Sequence, residues 1–282
     1  MFQRLTNSWT LVKASAAVLS ADKELMVFPA ISALLSVVVL ITFAVPSVLA
    51  GLFDSAAMAD SGFPIAGYVV GFLFYVVQYF VIFFCNTALV GAALIRLRGG
   101  DPTVADGFRV ATSRLRPILG YALLAATVGM ILRAISERSG AIGKLVVSLV
   151  GLAWNVATFL VVPVLAAEDI GPMDAVKRSS AYLRKTWGEQ IVGNAGMGAV
   201  FGLLGFGTVM VGIVALIAAA ATGSMALIAG VGVGLILALM ALALVSSTLG
   251  GIYAAALYRY AAEGDAGSFF SPELVQGAFR KK

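Results

Sequence analysis

The chain contains no histidine and a single cysteine, Cys85, set inside an apolar run. An intrachain disulfide is therefore impossible. Neither a His/Cys metal site nor a Ser-His-Asp or Cys-His nucleophilic arrangement can be assembled. Charge is scarce too: 12% of the 282 residues are charged, against about 25% in a soluble domain. Apolar residues make up 61% of the chain, with a mean hydropathy of +1.00. Water is not the main solvent of such a polypeptide. The 31 glycines are spread through the apolar runs rather than gathered in linkers, which suits close helix packing in lipid.

Crossing ~30 Å of hydrocarbon takes a helix of ~20 mostly apolar residues. Runs of that kind occur at about 27–52, 64–95, 117–136, 144–167, 189–221 and 225–258. They do not alternate, which excludes a β-barrel. The first run is far longer than the ~7–15-residue core of a signal peptide. Despite Val48-Leu49-Ala50 it reads as a retained span. Thr222-Gly223-Ser224 reads as a tight turn between the last two spans. Every Lys and Arg except Arg133, Arg138 and Lys144 falls on one side of the spans. Positive-inside bias puts that side, with both termini, in the cytoplasm. The expected fold class is all-α: a polytopic transmembrane helical bundle of about six spans in a cell (inner, cytoplasmic) membrane, with amphipathic cytoplasmic interfacial helices.

The segments on the basic side carry a helical period. Phe2, Leu5, Trp9, Val12, Ala16 and Leu19 recur at steps of three and four. Residues 101–116 do the same through Val104, Phe108, Ala111 and Leu115, and residues 172–187 through Met173, Val176, Ser180, Leu183 and Trp187. A shorter version follows Ser271, with Phe270, Leu274 and Ala278. Asp101-Pro102, Gly171-Pro172 and Ser271-Pro272 each offer a cap before a proline at the first helical position. The chain thus reads as one membrane domain over 1–282. It divides into pseudo-repeats of about 1–98, 99–170 and 171–264, with a cytoplasmic tail over 265–282. Each repeat is a surface helix followed by a helical hairpin. The surface helices either lie in the headgroup plane or pack on the span ends as a collar, and both can hold together.

Chemistry finds few supports. No G-x-S-x-G elbow occurs, and the glycines around 230–234 lie within a span at the wrong spacing for a dinucleotide fingerprint. No enzyme and no cofactor is expected. The bases beside the spans, Arg109, Arg114, Arg116, Lys177, Arg178, Arg184 and Lys185, suit anionic headgroups of the inner leaflet rather than nucleic acid. Inside the membrane the polar groups are Gln78, Asn86, Asn155 and Asn194. Gln78 and Asn155 fall near mid-membrane, where they serve either as interhelical glue or as a polar solute site. Gly198 and Gly202 form a GxxxG pair that packs the fifth span on the sixth or on a second copy of the chain. Pro46 and Pro163 are expected to kink the first and fourth spans near their ends.

Phe2 with Ser8-Trp9-Thr10-Leu11-Val12-Lys13, Asp22-Lys23-Glu24-Leu25 and Phe28-Pro29 resembles the start of a bacterial and archaeal six-span family, domain of unknown function 6159. Phe270, Pro272-Glu273-Leu274 and Gly277-Ala278-Phe279-Arg280 resemble its end. The resemblance implies a location and an architecture, and no established activity. Together these readings favour a membrane-organising scaffold that meets lipid, a protein partner or its own copies. The alternative is a transporter or channel for a neutral or amphipathic solute.

Overall fold

The computed structural model describes residues 2–51, 65–187, 196–265, 267, 269 and 270. Its helices are α1 (Phe2–Ala21), α2 (Val27–Leu49), α3 (Ile65–Leu97), α4 (Val104–Ser113), α5 (Leu115–Arg138), α6 (Ala141–Ala157), α7 (Val161–Ala167), α8 (Pro172–Trp187), α9 (Gly196–Ala221) and α10 (Met225–Glu263). A 3-10 turn, Lys23–Met26, joins α1 to α2, and no strand occurs among the described residues. Among the described residues six segments are long and apolar enough to cross a membrane: Lys23–Leu49, Ile65–Leu97, Leu115–Arg138, Ala141–Ala167, Val200–Ala221 and Met225–Glu263. The fold is an all-α bundle, as the apolar runs predict.

Helix ends follow local chemistry. Gly223, at φ +71°, reverses the chain between α9 and α10, where a side chain would strain the left-handed backbone. Ser224 then caps α10 by accepting from the Leu227 N–H. At α4 the cap is Thr103 rather than the expected Asp101. Thr103 Oγ1 accepts from the Asp106 N–H at 3.2 Å, while Asp106 Oδ2 accepts from the Thr103 N–H at 3.0 Å. This reciprocal box satisfies two donors at once. Asp101 pairs instead with Arg96 at 2.5 Å. The proline after Gly171 does open α8. The expected helix at the tail lies outside the described residues.

The buried core sits at one end of the bundle. It gathers Leu11, Val12 and Val18 of α1, Leu89 and Leu94 of α3, Ala111 of α4, Leu165 of α7, Leu183 of α8, and Ile252 and Leu257 of α10. Small residues let these helices approach. A methyl placed on Gly107 would meet the Phe28 ring and come within 2.7 Å of the Ala88 carbonyl oxygen; one on Gly91 would lie 2.8 Å from Val110 Cγ1. The packing runs in a ring. Helix α4 lies on α3, α8 lies on α5, α6 and α7, and α1 lies on α9 and α10. Away from this end the apolar side chains face outward, and α6 has no buried residue at all.

Three sequence expectations are corrected in detail. The buried stripe of α1 is Leu11, Val12, Ser15 and Val18, so Trp9 stays 47% exposed. In α8 it is Ala175, Ser179 and Leu183, leaving Met173 52% exposed. Both stripes rotate because serine and alanine, apolar enough at close range, take the tightest positions. Leu115 does not continue α4: the helix breaks at Arg114, and Leu115 begins α5, 43% exposed.

The fourth span is also interrupted, at 158–160 between α6 and α7, with Pro163 in the first turn of α7 rather than at a kink near the end. Broken helices inside a membrane need new partners for their freed backbone groups. Ser179 supplies them: its Oγ accepts from the Leu160 N–H at 3.0 Å and donates to the Ala157 carbonyl at 2.7 Å. Helix α2, by contrast, continues through Pro46. Helices α9 and α10 do pack together, yet the contact runs through Gly212 against Leu235 and Gly205 against Leu242. A methyl placed on Gly198 or Gly202 would have nothing within 4 Å.

Candidate functional site

The end of the bundle where α1, α4 and α8 meet the span termini is rich in charge. Arg96 pairs with Asp22 and Asp101, joining α3 to the turn after α1. Arg98 reaches Glu263 at 2.5 Å, and Arg259 binds Glu263, Asp265 and the Leu97 carbonyl, so the last turns of α3 and α10 are tied together. Glu168, just past α7, receives Arg178 Nε at 3.0 Å, the Tyr182 hydroxyl at 2.8 Å and the Tyr258 hydroxyl at 3.1 Å. That carboxylate holds the Arg178 guanidinium above its ordinary pKa. Burial first, and then Glu168, pushes the Tyr182 phenol up. These contacts fasten α7, α8 and α10 to one another.

The seven predicted headgroup contacts divide on this basis. Arg109 is held by Asp106 at 2.9 Å, Arg114 by Asp169, Lys177 by Asp174 at 3.4 Å and Arg178 by Glu168. Arg116 and Arg184 are exposed and have no ion-pair partner among the described residues. Lys185 lies in α8, with its side chain outside the described set. Arg116 also borders a shallow cleft of about 380 Å³ shared with Asp169 and Pro172. Exposed apolar side chains stand beside exposed bases in each segment: Trp9 with Lys13 5.9 Å over its ring, Leu115 with Arg116, and Met173 with Lys177.

The three described amides share no hydrogen bond with one another. Gln78 Oε1 is buried with no hydrogen-bond partner, Asn86 is half-buried, and Asn155 is exposed. Asn194 lies outside the described residues. None of the three described amides lines the larger cavity. That cavity, about 570 Å³, opens between α2, α3 and α5 at the end opposite the charged one, among Leu40, Phe43, Gly71, Phe74, Met130 and Arg133. Sequence reasoning noted Arg133 only as an exception to the charge count. The signal for the cavity was its i,i+4 partner Glu137 at the edge of an apolar run. No group of three metal-ligating side chains occurs among the described residues.

Six apolar spans around a helical core define a multi-pass, all-α membrane protein. The chain belongs to the Family of unknown function (DUF6159), whose model matches residues 65–269. The matched segment leaves out both ends on which the sequence resemblance rested. No curated protein and no solved structure matches the chain.

Proposed function

We propose that the protein is a non-enzymatic scaffold of a cytoplasmic-type membrane. Its charged end faces the cytoplasm together with both termini, and it gathers anionic lipid headgroups. The observation that carries this reading is the pairing of exposed apolar side chains with exposed bases around the charged end: Trp9 with Lys13, Leu115 with Arg116, Met173 with Lys177. An interfacial surface needs both parts, one to enter the acyl boundary and one to meet phosphate. Arg116, Arg184, Lys13 and Lys23 carry most of the attraction, since the other described bases at this end already pair with carboxylates of the chain. The ring of packed helices supports the reading of three repeated units, each surface helix lying on a neighbouring hairpin. A protein partner or a second copy can use the same rim.

The test is lipid enrichment around the full-length protein in nanodiscs of phosphatidylglycerol and phosphatidylcholine. The wild type is expected to hold phosphatidylglycerol above the bulk fraction, and R116Q/R184Q to fall back to bulk. Bulk composition around the wild type would sink the proposal. The solute-carrier alternative draws on the 570 Å³ cavity. Against it, the described amides are dispersed, and Ser179 closes the break in the fourth span.

A further inference from the structure

We propose that the cavity between α2, α3 and α5 binds one zwitterionic phospholipid from the leaflet away from the charged end. One acyl chain enters the slot and the headgroup rests on Arg133 and Glu137. At about 570 Å³ the cavity falls within the ~300–1,000 Å³ of ligand sites that are mostly apolar with a few placed polar groups. Leu40, Phe43, Val70, Phe74 and Met130 give it apolar walls. Gly71 keeps it open, since a methyl there would meet nothing within 4 Å.

Its charged groups form one cluster. Arg133 donates through Nε to Glu137 Oε1 at 2.7 Å and through Nη1 to the Tyr75 hydroxyl at 3.1 Å. Arg133 Nη2 and the Tyr75 O–H proton remain as donors for phosphate oxygens, and Glu137 Oε2 remains as an acceptor for an ammonium. A cation and an anion side by side match a phosphate and an amine joined by a short linker. A purely anionic headgroup would set its phosphate against the Glu137 carboxylate. Both side chains are more than half exposed, so the cluster is reachable from the membrane surface.

The experiment uses the full-length protein in nanodiscs of equal phosphatidylethanolamine and phosphatidylglycerol, released and weighed by native mass spectrometry. The wild type is expected to retain one phosphatidylethanolamine per chain. Gly71→Leu fills the slot with a side chain whose Cβ meets nothing within 4 Å; it is expected to cut retention about tenfold with the melting temperature unchanged. Glu137→Gln is expected to lower phosphatidylethanolamine retention while leaving phosphatidylglycerol retention unchanged. A phosphatidylethanolamine with a photoreactive acyl chain should label Phe43, Phe74 or Met130 in the wild type, which keeps the test independent of any variant's folding. Labelling spread evenly onto Leu149 and Leu237, no phosphatidylethanolamine retained by the wild type, or wild-type retention by a folded Gly71→Leu would each overturn the proposal.

Discussion

At the charged end, Leu165, Ile252 and Ala255 are completely buried, whereas in the far halves of the same bundle Val211, Leu237 and Ile142 are largely open. The two regions use the same few residue types. They differ in what lies opposite each side chain: protein at one end, lipid tails at the other. Lipid is as apolar as leucine, so helix association there gains little from burial and depends on close van der Waals fit. Close fit is what α3, α4 and α10 achieve through Gly91, Gly107 and Gly251, and what Gly198, Gly202 and Gly232 do not. Glycine count alone therefore says nothing about where a membrane bundle is solid.

The sharpest way to break this contrast is a matched pair of glycine substitutions. Gly107→Val drives a side chain into Phe28 and the Ala88 carbonyl; it should cost about 3 kcal/mol or more and deplete monodisperse protein in detergent. Gly232→Ala places a Cβ that meets nothing within 4 Å and should be neutral or mildly stabilising, because glycine costs a helix roughly 0.5–1 kcal/mol. Equal melting temperatures for the two variants would dissolve the distinction.

A smaller effect is expected where the solid end props up the fourth span. Ser179→Ala removes the partner of the Leu160 N–H and a donor to the Ala157 carbonyl, at about 1–3 kcal/mol for buried groups left unmade. Hydrogen exchange should rise at 157–161 and stay unchanged in α9. Protection equal to the wild type would show that the break needs no support.

The smallest effect belongs to the exposed α4 cap, where Thr103→Ala should cost about 1 kcal/mol. Hydrogen bonds from Thr103 hold the Asp106 carboxyl below its usual range. Because the folded state binds this proton less readily than the unfolded chain, the contribution is complete above the ordinary carboxylate pKa. It is lost as pH falls through the lowered value. Acid titration of α4 protection should show this loss in the wild type and a weaker one in Thr103→Ala.

Much of the architecture was legible because membrane thickness imposes a length on each span, and the six apolar runs match the six spanning segments within a few residues at most described ends. The charge count separated the two ends equally well. What escaped was side-chain register. The stripes read through Trp9 and Met173 pass over Ser15 and Ser179, yet both are wholly buried. Pro163 drew attention to the end of the fourth span, while the break falls before it and is held by a residue of another helix. Gln78 and Asn155 shared a depth but not a partner, since depth says nothing about which face a side chain occupies. The cavity needs three helices in register, which no single run encodes.

The ring in which α1 rests on α9 and α10 bears on how the protein is made. Helix α1 leaves the ribosome before α9 and α10, the two helices on which it docks. With synthesis at about 5–20 residues per second, α1 waits on the order of ten seconds or more with its seat unbuilt. Until then Leu11, Val12 and Val18 have only the bilayer surface or a chaperone to rest on. Completion of the α9–α10 hairpin is thus the step that locks α1 in place.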